Sequence, residues 1–315
     1  MKKKVIITDH LHPYLAEQLF ISGFDVDVQA DITNDQLAEI IHKYNGLVLS
    51  TKILVTPQLI NSASQLEFIA RAGSGMENIN VEYARSKNIH IINSPKGNAN
   101  AVGEHTMALL LGLLNNIVKS DSEIRKGIWQ REKNRGIELE GKTIGIIGYG
   151  NTGSAFAAKL EGFNVTIYVF DKYKKGFGNS LIIESTVEEI QEKADFISFH
   201  VPHNPETHHY LNSDFIGRFR KSIRILNTSR GKIVNTAHLI EALKNGKISG
   251  AALDVFENEQ FYKLTGIDKM LMDELCKMEN VILTPHVAGW THESYFKISK
   301  ILFDRIDDLN LKKVN

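Results

Sequence analysis

The sequence predicts an α/β protein built from two doubly wound domains, each with a parallel sheet covered by helices on both faces. Short β-branched or aromatic runs alternate with longer helical patterns along the whole chain, which is typical of parallel βαβ architecture. A chain of 315 residues also exceeds the usual size of a single core. A new series of strands begins after Gly141, so two domains are expected.

The first hundred residues form the first series, in which five short apolar runs are separated by helical patterns. The runs predict strands at Val5–Thr8, Phe24–Val28, Leu47–Leu49, Phe68–Arg71 and His90–Ile92. Helices are predicted at Tyr14–Phe20, Gln36–Lys43 and Pro57–Ser62. The terminal segment His292–Leu309 has a helical period. We assign residues 1–100 plus 286–315 to this smaller domain.

The second series occupies residues 101–285 and is expected to form the larger domain. Its strands are predicted at Thr143–Ile147, Val165–Phe170, Phe196–Phe199, Ile223–Asn227, Gly250–Leu253 and Val281–Leu283. Helices are predicted at Ser154–Leu160 and Ala237–Lys244. One long helix from about Ala101 to Arg125 is expected to join the two domains.

Composition argues against several classes of function. The 37 basic and 37 acidic residues cancel, so no nucleic-acid partner is expected. No apolar run approaches the roughly 20 residues needed to cross a membrane, and the start lacks a secretory signal. The single cysteine, Cys276, fits a reducing cytoplasm. Twelve histidines occur without a cysteine pair or an H-E-x-x-H helix, so no metal site is expected.

The strongest motif is the glycine-rich turn Gly148–Gly153, which lies between an apolar strand and a helix. Gly148 allows a tight turn, Gly150 lets the backbone approach a pyrophosphate, and Gly153 lets the helix pack close to the strand. The N–H groups at the start of the following helix then face the phosphates with a favourable dipole. The motif is weak alone, but its strand–turn–helix context predicts a dinucleotide site.

Asp171 ends the next strand and refines this prediction. An acid at this distance from the glycines can accept hydrogen bonds from a ribose diol and repels a 2′-phosphate. NAD is therefore favoured over NADP, although Lys172 weakens the discrimination. The larger domain is predicted to be a Rossmann-type NAD-binding domain, and the smaller one a flavodoxin-like substrate domain.

Three later strands carry polar residues to the same sheet edge, where doubly wound folds bind ligands. Arg230 follows the strand Ile223–Asn227, the carboxylates Asp254, Glu257 and Glu259 follow Gly250–Leu253, and His286 follows Val281–Leu283. A hydroxy-acid dehydrogenase needs a guanidinium for the carboxylate, a histidine as acid and base, and a carboxylate partner for that histidine. Polar strand ends also arise by coincidence, so the residues alone leave this open.

Several motifs resemble the D-isomer-specific 2-hydroxy acid dehydrogenase family along nearly the whole chain. This family includes D-3-phosphoglycerate dehydrogenase and glyoxylate/hydroxypyruvate reductase. The resemblance rests on the glycine turn and on Arg71–Gly75, Gly97–Ala99, Val102–Thr106, Asn227–Gly231, Leu253–Phe256 and Thr284–His286. It implies an NAD-dependent oxidoreductase that acts on a small-molecule 2-hydroxy or 2-oxo acid, and a homodimer.

The resemblance also implies a role for each matching residue. Arg230 would bind the substrate carboxylate, His286 would be the acid and base, and Glu259 would be its partner. The expected cofactor-binding residues are Gly148, Gly150, Asn151, Thr152, Gly153, Asp171, Val201, Pro202, Thr228, Asp254 and Gly289. Ser74 and Gly75 would offer N–H groups to the substrate, with Lys52 and Arg71 as further substrate-binding residues.

Within this family D-3-phosphoglycerate is the favoured substrate, glyoxylate or hydroxypyruvate is the alternative, and other D-2-hydroxy acids form a third possibility. A phosphoglycerate would need cations besides Arg230, for which Lys52, Arg71, Lys96 and Arg131 are candidates. Ser50 stands where many phosphoglycerate enzymes have arginine, and this departure favours glyoxylate or hydroxypyruvate. Gln260 replaces the proline that usually follows the glutamate. Compared with the family, the segment Phe261–Glu279 is longer than usual, and an extra helix near the site is expected there. A protein of another class, an NADH-sensing corepressor with this fold, would retain the same three residues.

Overall fold

The structure, a computed structural model, describes residues 2–311 and divides the chain into two compact units. The first unit comprises Met1–Ala99 and Trp290–Asn315, and the second comprises Asn100–Gly289. Both sheets are fully parallel, as predicted. The second crossing of the chain lies after Gly289, whereas the sequence placed it after residue 285. The backbone N–H of His286 and those of the next two residues donate to Asp254, which keeps this segment in the second unit.

The first unit has a five-stranded sheet in the order β2-β1-β3-β4-β5, which is the flavodoxin order expected for the smaller domain. Its strands are β1 Lys4–Ile7, β2 Asp25–Val28, β3 Gly46–Leu49, β4 Phe68–Arg71 and β5 His90–Asn93. Its helices are α1 Tyr14–Ile21, α2 Asn34–Ile40, α3 Pro57–Ser62, α4 Val81–Ser86 and the C-terminal α12 His292–Asp307. The strands and helices of this unit match the predicted series, except that α4 was not predicted.

Helix α12 belongs to the first unit, where its N-terminus is capped and its apolar face is buried. The Thr291 hydroxyl caps the helix by accepting the N–H of Ser294, and the Ser294 hydroxyl accepts the N–H of Thr291. Leu302 and Ile306 are buried in the same core as Val5 and Leu15. Burial of such side chains contributes about 1.5–3 kcal/mol each, which anchors the chain's last helix to its first strand.

The second unit has a seven-stranded sheet in the order β12-β11-β10-β9-β6-β7-β8. Its strands are β6 Thr143–Ile147, β7 Thr166–Phe170, β8 Ile182–Glu184, β9 Phe196–Phe199, β10 Ile223–Asn227, β11 Ile248–Leu253 and β12 Val281–Leu283. Its helices are α5 Ala99–Leu114, α6 Ile117–Arg125, α7 Asn151–Lys159, α8 Val187–Lys193, α9 Ser213–Gly217, α10 Thr236–Lys244 and α11 Gly266–Leu275. The extra helix is therefore present as α11, whereas β8 was not predicted.

The prediction of one long helix from Ala101 to Arg125 is wrong, because the helix is interrupted between α5 and α6. Asn116 adopts a left-handed conformation, with φ of 51°, and the two helices meet at a bend of 63°. Asparagine tolerates this conformation, which an uninterrupted helix does not allow. In the described residues no single helix is long and apolar enough to span a membrane. Helices α5 and α6 taken together have the necessary length and composition, but they are bent at their junction.

Candidate active site

The second unit places its polar residues at the carboxyl edge of the seven-stranded sheet. The strand order reverses between β6 and β9, and ligands of doubly wound sheets bind at this point. The glycine turn follows β6 and His200-Val201-Pro202 follows β9. A Cβ added at Gly148 would lie 2.5 Å from the carbonyl oxygen of His200 and 2.9 Å from Val201, so the two segments are in close contact.

The three glycines of the turn differ in what surrounds them. Gly148 has φ of +97°, and a Cβ added at Gly153 would lie 2.0 Å from the carbonyl oxygen of Gly148, so both glycines are required by the local packing. A Cβ added at Gly150 would meet nothing within 4 Å. Gly150 is also the N-cap of α7 and contributes no side-chain acceptor to the N–H groups of Asn151 and Thr152. An open surface beside an uncapped helix start suits a pyrophosphate.

Asp171, the residue that follows β7, also holds the glycine turn. Its carboxylate accepts the N–H of Tyr149 at 2.7 Å and the N–H groups of Tyr173 and Lys174 at 2.9 Å. Burial raises the pKa of Asp171, but these hydrogen bonds lower it further than burial raises it. Asp171 is therefore ionised at neutral pH. Lys172, which was predicted to weaken the preference for NAD over NADP, pairs with Glu206 at 2.5 Å.

His286 and Glu259 are brought together as the sequence suggested. The Nδ1 atom of His286 lies 2.8 Å from Oε2 of Glu259, and both side chains are roughly half-exposed. Because the carboxylate can only accept, Nδ1 carries the proton and Nε2 is the position at which the ring can exchange one. His286 has φ of 54°, an uncommon backbone conformation for a side chain of this kind.

Arg230 lies at the end of β10, close enough to influence Glu259. Burial raises the pKa of Glu259, but the hydrogen bond and charge of His286, the N–H of Phe256 and the charge of Arg230 lower it more. The buried Asn227 shapes the Arg230 loop, since its side chain accepts from Ser229 and donates to the carbonyl oxygen of Arg230. The three residues therefore form one charged group on three neighbouring strand ends.

The loop that carries His286 is fixed by Asp254, which is fully buried. Its carboxylate accepts the hydroxyl of Thr284 at 2.6 Å and the N–H groups of Val287 and Ala288 at 2.9 and 2.8 Å. Its backbone carbonyl accepts the N–H of His286 at 2.7 Å. The family resemblance assigns Asp254 to the cofactor. Its carboxylate instead accepts hydrogen bonds from the strained loop that carries His286.

Helix α5 supports the same loops through two residues to which the sequence assigned no role. His105 Nε2 lies 3.1 Å from the hydroxyl of Thr284, and Thr106 shares a 2.9 Å hydrogen bond with Thr228. Gly103 lets α5 approach α7, because a Cβ there would lie 2.9 Å from the backbone of Ala155. His105 and Thr284 are 179 positions apart, so their contact could not be predicted from the sequence. Each residue appears there only as part of a motif that carries the family resemblance.

In the first unit, the predicted substrate residues lie after β3, at the last residue of β4 and after β4. The Ser74 hydroxyl donates to Asn98, and its carbonyl oxygen accepts from Asn93. Lys52 donates to the carbonyl oxygen of Ala30 at 2.8 Å, and Arg71 donates to that of Ala72 at 3.0 Å while lying over Gly73. Gly75 follows Ser74 in the same turn. Each of the two cations therefore donates to a backbone carbonyl, and both charges act on the Asp9 carboxylate.

The histidines of the β9 loop do not form a metal centre. Within residues 2–311, no group of three or more His, Cys, Asp or Glu side chains is arranged to hold a metal ion. His200 is buried, and burial lowers its pKa to about 3, so it is neutral at physiological pH. His203 contacts His208 at 3.1 Å, and His209 pairs instead with Glu257 at 2.6 Å.

Known proteins of similar sequence fall in one family. A family model described as "D-isomer specific 2-hydroxyacid dehydrogenase, NAD binding domain" matches residues 107–288, which is more than half of the chain. The chain is 35% identical over 306 residues to D-3-phosphoglycerate dehydrogenase of Methanocaldococcus jannaschii, covering 96% of this chain and 56% of that protein. It is 33% identical to glyoxylate reductase of Pyrococcus furiosus, covering 93% and 88%. The chain thus spans little more than half the length of the phosphoglycerate dehydrogenases it matches.

Solved structures agree with this relationship. D-lactate dehydrogenase from Aquifex aeolicus, in complex with NAD and lactic acid, superposes with a TM-score of 0.83 at 25% identity, covering 98% of this chain and 95% of that chain. The matched model lies within the second unit, which is therefore the NAD-binding domain of the family. The chain belongs to the D-isomer specific 2-hydroxyacid dehydrogenases.

Proposed function

We propose that the protein is an NAD-dependent dehydrogenase of D-2-hydroxy acids, with Arg230, Glu259 and His286 as its catalytic residues. The observation that carries this proposal is the 2.8 Å hydrogen bond between Nδ1 of His286 and Glu259, beside Arg230. Such a group can hold a carboxylate and move a proton on one sheet edge. NAD, when bound, supplies the hydride for reduction or takes it in oxidation.

Each catalytic residue has a step that follows from its chemistry. The Arg230 guanidinium binds the substrate carboxylate and polarises the 2-oxo group. In reduction, protonated His286 gives its Nε2 proton to the oxygen that becomes the hydroxyl, and in oxidation Nε2 takes that proton back. Glu259 holds Nδ1–H, which orients the ring and stabilises its charged form.

The cofactor is proposed to lie against the open face of Gly150, with the N–H groups of Asn151 and Thr152 toward the pyrophosphate. Gly150→Ala should therefore fold normally but weaken NADH binding, since its Cβ would occupy only the open space. Gly153→Ala should instead lower stability, because its Cβ would meet the carbonyl oxygen of Gly148. NADH fluorescence titration and thermal unfolding of both variants separate the two effects. Equal NADH affinity in Gly150→Ala and the wild type would remove this placement.

For the other cofactor-site residues the proposed roles are those that the family resemblance implies. Asp171 would accept the ribose hydroxyls, while Val201 and Pro202 would line the adenine pocket. Thr228, Asp254 and Gly289 would lie at the nicotinamide end. At Asp254, neighbouring residues would make the contact with the cofactor. The Asp254 carboxylate itself already accepts hydrogen bonds from the His286 loop.

For the substrate we propose D-3-phosphoglycerate, which would place the enzyme in serine biosynthesis in the cytoplasm. The similarity to several phosphoglycerate dehydrogenases supports this choice. Ser74, Gly75, Lys52 and Arg71 are the proposed substrate-binding residues of the first unit. A second candidate, glyoxylate or hydroxypyruvate, is favoured by a specific observation. Lys52 and Arg71 point at backbone carbonyls, and Ser50 stands beside the Asp9 carboxylate, which accepts its N–H at 2.7 Å.

One assay separates these possibilities. NADH oxidation would be followed at equal concentrations of phosphohydroxypyruvate, hydroxypyruvate, glyoxylate and pyruvate. The phosphoglycerate proposal expects the highest kcat/KM with phosphohydroxypyruvate, and it fails if that substrate is no better than glyoxylate. An NADH-sensing corepressor would bind NADH and turn over none of the four.

We also propose that the protein is a homodimer formed through α6 and the segment that follows it. Ile117, Val118 and Ile124 of α6 are each 55% exposed, and Trp129 is 81% exposed. Apolar side chains grouped on one surface commonly mark an interface. Light scattering should give twice the chain mass for the wild type and a lower mass for Trp129→Glu combined with Ile124→Glu. A monomeric wild type would contradict the proposal.

A further inference from the structure

The loops after β9, β10 and β11 are joined to one another by hydrogen bonds close in sequence to Arg230 and Glu259. The N–H of His209 donates to the carbonyl oxygen of Lys232 at 2.8 Å, and Leu211 forms a parallel bridge with Val234. These contacts join the β9 loop to the segment that directly follows Arg230. Two of the three loops are therefore held together by backbone hydrogen bonds.

Glu257 ties the third loop to the other two. Its Oε1 accepts the N–H of Thr236 at 2.7 Å, at the first residue of α10, where a helix dipole favours a carboxylate. Its Oε2 lies 2.6 Å from Nε2 of His209. Both side chains are about 30% exposed, so this pair is better shielded than His286 and Glu259. One carboxylate thus contacts both of the other loops.

The hydrogen bonds fix the proton of His209. Asn235 caps α10 by accepting the N–H of His238 on its Oδ1, so its Nδ2 is the atom that faces Nδ1 of His209 at 3.2 Å. Nδ1 must then accept, and Nε2 carries the proton that is donated to Glu257. Both ring nitrogens are used, so this histidine connects Asn235 to Glu257.

Gly231 brings the same junction into contact with the catalytic residues. A Cβ added there would lie 1.8 Å from the carbonyl oxygen of Phe256 and 2.6 Å from the N–H nitrogen of Glu257. The backbone that leads to Glu259 therefore packs directly on the residue after Arg230. A shift of Glu257 would move Arg230 and Glu259 relative to each other.

We propose that Glu257 and His209 are positioning residues that set the geometry of Arg230 and of the Glu259–His286 pair. This inference rests on the proposed function for its kinetic consequences, but not for its structural ones. Neither side chain is assigned a contact with substrate or cofactor. They act by holding three loops at one separation.

The kinetic test compares Glu257→Ala and His209→Leu with Glu241→Ala, which removes an exposed glutamate from α10. Glu257→Ala should lower kcat/KM for the 2-oxo acid about tenfold or more, through both kcat and KM, as expected for loss of charged hydrogen bonds. His209→Leu should lower it about threefold to tenfold, and His209→Gln should recover most of the loss because its amide can donate to Glu257 and accept from Asn235. The Kd for NADH should change less than about twofold in every variant, and Glu241→Ala should match the wild type.

The structural test does not need turnover. Protein labelled with ¹⁵N-histidine would be studied by long-range ¹H–¹⁵N spectra, with His209 and His286 assigned from His209→Gln and His286→Gln. His209 should show the Nε2–H tautomer, and Glu257→Ala should shift the His286 ring nitrogens while Glu241→Ala leaves them in place. An unchanged His286 spectrum in Glu257→Ala, or a wild-type kcat/KM in both Glu257→Ala and His209→Leu, overturns the inference. Absence of turnover in the wild type would refute the proposed function alone, and the spectra would still decide the inference.

Discussion

Two histidine–glutamate pairs stand at the same sheet edge and differ in what their rings can do. His286 contacts Glu259 through Nδ1, whereas His209 contacts Glu257 through Nε2 and uses Nδ1 as well. Both histidines have left-handed backbone conformations, with φ of 54° and 50°. In the described part of the chain, Nε2 of His286 has no hydrogen-bond partner. A ring with one nitrogen held and the other exposed suits proton transfer, and a ring held at both suits support.

The contrast teaches that the residue pair by itself does not identify a catalytic centre. The two glutamates are separated by a single residue, and each lies within 2.8 Å of its histidine. The surroundings distinguish them, since Arg230 acts on Glu259 whereas the N–H of Thr236 occupies Glu257. The following predictions test this distinction, beginning with the largest expected effect.

His286→Gln compared with His209→Leu tests the contrast most directly. Removing the proposed acid and base should lower kcat/KM by about 10²- to 10⁴-fold, while loss of the connector should cost about tenfold or less. Steady-state assays with the best 2-oxo acid give both values, and NADH titration should show that both variants still bind the cofactor. Equal losses in the two variants would mean that the pairs do not have separate roles.

Glu259→Gln should have the next largest effect on turnover. The substitution keeps the size of the side chain but removes the charge that orients and stabilises the His286 ring. We expect kcat/KM to fall about 10- to 100-fold, corresponding to loss of a charged hydrogen bond. A wild-type kcat/KM in Glu259→Gln would contradict this role.

Asp254→Asn tests the support beneath His286. The amide would place a donor against the N–H of Val287 or Ala288 in a fully buried site. We expect the free energy of unfolding to fall by about 2 kcal/mol, measured by denaturant titration. The same change at Asp268 should have little effect, since that residue is exposed and pairs with Asn258 at the surface. Equal stability of Asp254→Asn and the wild type would show that the carboxylate does not hold the loop.

The sequence predicted the fold and the charged residues because both depend on local patterns. The strands that end at Asn227, Leu253 and Leu283 could be read from their apolar runs, and parallel strands must deliver their carboxyl ends to one edge. The break at Asn116 was missed because the apolar period of α5 leads into α6 without a proline or glycine. The predictions assigned no role to Glu257 or Thr284. Their roles depend on partners such as His209 and His105, which are distant in sequence and carry no periodic signal.

The smallest expected effect concerns stability rather than turnover. The pKa of Glu259 is lowered in the folded protein, so its interactions stabilise the fold at pH values above the ordinary glutamate pKa of about 4.3. That contribution should be lost as the pH falls through the lowered pKa, because the unfolded chain takes up the proton first. Both partners are more than one-third exposed, so solvent screening keeps the effect small. Denaturant titrations from pH 7 to pH 3 should show a weaker acid loss of stability in Glu259→Gln than in the wild type. Exposed Glu241→Gln serves as the matched control, and an acid loss unchanged in Glu259→Gln would mean that the His286–Glu259 bond contributes to catalysis without contributing to the fold.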